Sequence, residues 1–234
     1  MSPATTRTVR VMLKRIIMLM LCVLCVLPAI ASQTLKNGVL QAYWLPVWNN
    51  EGTKSTAELK YRYFVLNTSG KIDKVINVTF ADNDAIINRA FSHLPPSFLK
   101  YSEGHAEQAG QLIIEGLKVQ PECDRSLYSA KGVTFTPIAG QLSVAKNLEL
   151  SAGCEAYPWA VTYTLKAGLE GQHFKQQPEA TAKDLQPVPP EQPLIKIETI
   201  DSNWIRAAVV DQSKNDLIGE PQGYLRLDTL QPIN

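Results

Sequence analysis

Beyond residue 31 this 234-residue chain has no methionine, since Met1, Met12, Met18 and Met20 are all it contains. A soft metal ion therefore finds no thioether sulfur after the N-terminal segment. Cysteine is nearly as scarce: Cys123 and Cys154 are the only two past that point, and they lack the Cys-x-x-Cys spacing of thiolate redox or metal chemistry. The chain also lacks a Gly-x-Ser-x-Gly elbow, a His-Glu-x-x-His pair, a phosphate loop and a Gly-x-Gly-x-x-Gly turn, so a non-enzymatic role is expected. Its longest apolar run, Ile16 to Leu27, has about 12 residues where a membrane span needs ~20. Finally, there is no basic excess. The whole chain carries +1, and without Arg7, Arg10, Lys14 and Arg15 it keeps 19 basic against 22 acidic side chains, a net −3. A mildly acidic body without a basic stripe argues against nucleic acid or an anionic membrane as partner.

What is present begins with an export signal. Met12-Leu-Lys-Arg15 is basic, the apolar run follows, and Pro28 precedes the small residues Ala29-Ile-Ala31 that a signal peptidase reads. Residues 1–31 thus read as a signal peptide, the product as periplasmic or secreted, with no membrane span after cleavage. In an oxidising compartment Cys123 and Cys154 default to a disulfide, closing a loop of about 32 residues worth roughly 3–4 kcal/mol. The alternative is a catalytic or metal-binding thiolate.

Hydrophobic periodicity points to strands. Gly38 to Leu45, Glu58 to Leu66 and Lys74 to Phe80 read as strands separated by turn residues, with Leu59, Tyr61 and Tyr63 sharing a face. Asp82 or Asn83 caps a short helix carrying Ile86, Ile87, Ala90 and Phe91 on one side, and Pro95-Pro96 stops it. Asp82-Asn-Asp84 also opens like a Ca²⁺ loop, but the Gly and Glu such a loop needs do not follow. Leu112 to Val119 fits helix and strand equally; Gly110, Gly116 and Pro121 decide for strand. Gly132 to Pro137 and Pro158 to Leu165 alternate as two neighbouring strands, with a polar excursion between them that could hold out a site. So many short strands and so little helix read as a β-sandwich or Greek-key barrel. Residues 176–193 are rich in Pro, Gln and Glu and read as an extended linker. Leu194 to Ile200, Trp204 to Val210 and Gly223 to Leu227 then supply three strands of a small second module over 194–234.

Several of these segments carry a resemblance. Ala42-Tyr-Trp44, Tyr63-Phe-Val-Leu-Asn67, Gly70-Lys-Ile-Asp73 and Val75-Ile76 resemble the periplasmic copper chaperones called PCuAC. Gly132 to Thr136, Pro137, Gly140, Asn147-Leu148 and Pro158 to Leu165 are similar to the second half of that family, the likeness covering residues 38–175. It implies a cupredoxin-like Greek-key β-sandwich over 32–175 and, in the family, delivery of Cu(I) held by two His and two Met. This chain departs at the ligands. Gln141-Leu-Ser143 stands where the family has His-x-Met, and the earlier ligand His corresponds to His93. The resemblance therefore implies a degenerate metal site. Trp204-Ile-Arg-Ala-Ala208, Gly219 and Gly223-Tyr-Leu-Arg-Leu227 resemble the later strands of an SH3-like domain, which implies an aromatic face at Trp204 and Tyr224; equally, Trp204 is that module's core.

The expected protein is thus all-β and exported, a copper-chaperone-like sandwich followed by an SH3-like β-module, binding a protein or cell-envelope component without a cofactor. The alternative is a metal carrier in which His93 and His105, with a nearby carboxylate, hold Cu(II) or Zn(II) by imidazole. Both histidines also read as exposed loop residues, and His173 as solvated.

Overall fold

A strand apolar on one side alternates with polar residues; β1 (Gln33–Trp48) instead is buried on both sides from Gly38 to Tyr43. Two packed faces account for this, and they organise the computed structural model, which describes residues 32–48, 55–122, 125–139, 144, 156–214 and 216–233. β1 pairs with β2 (Ser55–Leu66) and with β4 (His105–Glu122); β2 pairs with β3 (Ile72–Thr79), and β4 with β5 (Arg125–Pro137), all antiparallel. β3 and β5 then run parallel, Ile76 opposite Tyr128, and close a barrel in the order β1-β2-β3-β5-β4. Helices α1 (Asn83–Ala90) and α2 (Pro96–Lys100) lie between β3 and β4. A five-stranded Greek-key barrel so connected has the OB-fold topology.

Leu40, Tyr61, Tyr63, Ile76, Leu112 and Ile114 fill the barrel, and Phe91 and Phe98 of the helical segment join that core. The opposite faces of β1 and β2 put Val39, Phe64 and Leu66 against Val144 and Ala156, so the chain after the barrel covers its outer wall. Gly38 and Gly110 are register partners across β1 and β4. A Cβ on the first would overlap the Tyr63 ring, and on the second the Phe135 ring. The bare backbone here lets Tyr63 lie inside and donate its hydroxyl to Gly110 O at 2.7 Å.

The second sheet runs β12-β6-β9-β10-β11-β7-β8: β6 (Thr162–Leu165), β7 (His173–Lys175), β8 (Asp184–Pro187), β9 (Leu194–Thr199), β10 (Trp204–Val210), β11 (Ile218–Arg226) and β12 (Leu230–Pro232). Its curl wraps Tyr163, Leu165, Phe174, Leu194, Ile205 and Leu225. The all-β reading holds: two curled sheets, within one compact unit from Ser32 to Asn234.

Three placements differ from the sequence reading. β5 and β6, expected as neighbours, sit in different sheets. The second sheet begins well before residue 194, because Tyr163, Leu165 and Phe174 are needed to cover its core. The expected linker 176–193 contains β8 and the buried Val188, which packs into the same core. Residues 1–31, Cys123, Cys154, Gln141 and Asn147-Leu148 lie outside the described residues. No helix among the described residues is long and apolar enough to cross a membrane.

Candidate binding cleft between the barrel and the second sheet

The last rungs of β1 place Trp44, Pro46 and Trp48 on one side of the strand, since alternate residues share a face. That stripe looks across a cleft of about 950 Å³ toward the second sheet. Trp159, Tyr163, Ile205 and Leu230 line it from the far side. Trp48 reaches the second sheet's core and meets Tyr163 edge to face, ring centres 6.4 Å apart; Trp44 stays with the barrel, 5.7 Å from Phe98. Three of the chain's four tryptophans therefore line one cleft. The indole N–H groups of Trp44 and Trp48 are buried and have no acceptor among the described residues. An unmet buried donor costs about 1–3 kcal/mol.

The charged groups in the cleft are already matched. The turn leading into β4 holds Ser102 in the left-handed region, at φ +53°, and Trp44 N donates to Gly104 O at 3.0 Å. The turn aims Glu103 at β9. There its carboxylate accepts from Lys196 Nζ at 2.7 Å, Thr199 N at 2.9 Å and Thr199 Oγ1 at 2.8 Å. Lys166 Nζ donates to Asp228 O at 2.8 Å, and the Asp228 carboxylate accepts from Arg226 Nε at 3.0 Å. Burial, aided by the negative charge of Glu103, pushes the Tyr163 phenol up to about 12, so it stays a neutral donor.

A smaller cleft of about 380 Å³ lies on the other side of Glu103 and Lys196, lined also by His105, Glu107, Tyr157 and Leu217. The His105 ring stacks on Trp159, centres 4.0 Å apart. Burial first, then the Arg62 charge, lowers its pKa to about 4, so it is a neutral imidazole at neutral pH. Beneath it, Arg62, Gln41 and Glu107 form one rung across β2, β1 and β4. Arg62 Nε donates to Gln41 Oε1 at 2.7 Å, and Gln41 Nε2 to Glu107 Oε1 at 2.7 Å. Arg62 also donates to Ala156 O at 2.8 Å and stands over the Tyr43, Phe64 and Trp159 rings.

The sequence-derived candidates fall elsewhere. His93 is exposed between α1 and α2 and lines neither cleft, whereas His105 is packed under Trp159. Among the described residues no group of three or more His, Cys, Asp or Glu could hold a metal ion. Trp204 is buried opposite Arg226, Tyr224 sits opposite Arg206, and neither lines either cleft. The sequence reading missed Trp44, Trp48, Trp159 and the Glu103–Lys196 pair. A signal for the first two was there: Trp-x-Pro-x-Trp in a strand is an apolar stripe on one face. No family model, curated protein or solved structure matches the chain.

Proposed function

We propose that this is an exported, non-enzymatic binding protein that takes up a partner of the cell envelope in the cleft between its barrel and its second sheet. One observation carries this reading: Trp44, Trp48, Trp159 and Tyr163 wall a cleft of about 950 Å³ whose charged groups are already paired within the chain. A cleft this size with aromatic walls accommodates a ligand segment. Delivery of Cu(I) by the route of the resembling family is not part of the proposal, because residues 32–234 offer no thioether. The OB-fold topology itself serves many unrelated functions and does not choose among them.

The test is tryptophan fluorescence of the exported chain titrated with a panel of envelope components, extended peptides and glycan fragments, each also assayed for turnover. Saturable quenching without product is expected, and Trp48→Ala should abolish it. Turnover of any component, or quenching that survives Trp48→Ala, would refute the reading.

A further inference from the structure

Resting on that reading of the cleft, we propose that its occupant is a neutral oligosaccharide of pyranose sugars with equatorial hydroxyls. The cleft presents two kinds of surface. Aromatic carbon walls it, Trp44 and Trp48 from one side, Trp159 and Tyr163 from the other. The N–H groups of Trp44 and Trp48 are closed off, so these two indoles offer the cleft ring carbon alone. The lining also holds uncharged polar groups, the hydroxyls of Ser102, Ser202 and Tyr163 and the amide of Gln231. None of these has a partner among the described residues. Tyr163 is only 6% exposed, yet its hydroxyl is not closed off as the indole N–H groups are. For so buried a ring, the opening is the cleft it lines.

Other classes of ligand fit less well. An anion needs a free cation, and both lysines of the cleft are engaged, Lys196 with Glu103 and Lys166 with Asp228 O. An acyl chain would cover the hydroxyls and the amide without bonding them, which costs free energy for each group left unmet. An extended peptide binds by adding to a strand edge, and both edges that border the cleft are short of donors. β12 is the outer strand of its sheet, and Ile233 N donates to Thr162 O on the β6 side. By alternation Leu230 and Pro232 turn outward. Leu230 N is taken by Leu227 O, and proline has no N–H. On β1, pairing with β4 ends at Tyr43, and Trp44 N turns to that side to reach Gly104 O. Two residues on, Pro46 takes the same side and again brings no N–H. A pyranose needs no main-chain edge. Its axial C–H groups lie against an aromatic face, and its hydroxyls, donor and acceptor at once, match hydroxyl and amide side chains. Equatorial hydroxyls leave both faces of the ring apolar, which suits a cleft with aromatic walls on two sides.

The test is ¹H–¹⁵N spectroscopy of the indole signals of the full exported chain, titrated with cellotetraose, chitotetraose, capped decaproline, a Gly/Ser decapeptide and hexanol. At least one tetrasaccharide should shift the Trp44, Trp48 and Trp159 signals saturably and leave Trp204 in place, with the other three probes inert. Tyr163→Phe keeps the ring and removes one hydroxyl, and Gln231→Ala removes an amide at an exposed position. Each should weaken that tetrasaccharide about fivefold. Undiminished binding by both variants would place the sugar outside this cleft and overturn the inference. Saturable shifts with a peptide or hexanol and none with either sugar would overturn it while leaving the cleft a binding site. Shifts that grow with protein concentration alone would assign the cleft to a second copy and overturn it too. No shift with any probe would end both this inference and the reading beneath it.

Discussion

Glu103 and Lys196 meet at 2.7 Å with side chains only 11% and 17% exposed, one on the turn into β4 and the other on β9. This ion pair ties the barrel to the second sheet and separates the two clefts. Removing one partner leaves the other charged in a poorly solvated place, so Glu103→Ala should cost about 3 kcal/mol. Glu103→Ala combined with Lys196→Met should cost clearly less than the sum of the single changes. Urea unfolding of the four proteins in the cycle measures the coupling; additive costs would show that the pair contributes no more than a surface contact.

His105 makes stability depend on acidity. Its folded pKa, about 4, lies below the ordinary 6.5, so as pH falls through that window the unfolded chain takes up the proton first. The stabilisation from the neutral ring is complete above the ordinary histidine range and drains away between 6.5 and 4, on the order of 2–3 kcal/mol. Glu107, two residues along β4, has its carboxyl pKa raised by burial and acts in the opposite sense, favouring the folded state toward acid. His105→Phe keeps a ring against Trp159 and removes the titration. Denaturation at pH 7 and pH 5 should show the wild type losing more stability than the variant; equal losses would contradict the assignment.

Two glycines should respond differently to alanine. At Gly110 a Cβ meets the Phe135 ring and Thr136 O, so Gly110→Ala overpacks the seam between β4 and β5 at roughly 2–3 kcal/mol. Gly70, at φ +75° in an open turn, has nothing within reach, and Gly70→Ala pays only the backbone cost, about 1 kcal/mol. Thermal denaturation of both variants should rank them in that order.

Arg62 is 1% exposed, and its fork joins Gln41 on β1 to Ala156 in the segment that covers the barrel. Lysine cannot reproduce two donors in that plane or stack between the rings. Arg62→Lys is therefore expected to lower stability by roughly 2–4 kcal/mol, read by urea unfolding, with Gln41 left short of a partner.

Much of the local structure was legible. The period-two runs over Glu58–Leu66 and Lys74–Phe80 became β2 and β3, and glycine punctuation correctly made Leu112–Val119 part of β4. Asp82 caps α1, its carboxylate accepting from Ala85 N at 2.9 Å. Each of these depends on neighbours a few residues away. The candidate cleft was not legible, because Thr199 and Glu103 meet across 96 residues of chain and no short pattern records that. Trp204 and Tyr224 stand out in the sequence through the SH3-like pattern of their strands, yet the tryptophans that share a cavity come from β1 and from the segment before β6.

By itself the sequence determined most of the barrel's strands, the helix cap and the want of a thioether after residue 31, because each follows from side-chain chemistry or from short-range periodicity. Only the tertiary structure decided that β3 closes on β5, that β6 leaves its sequence neighbour for another sheet, and that two indoles face a shared cleft. Those outcomes turn on which distant apolar faces bury one another, and alternation along a strand shows which side is apolar without saying what covers it.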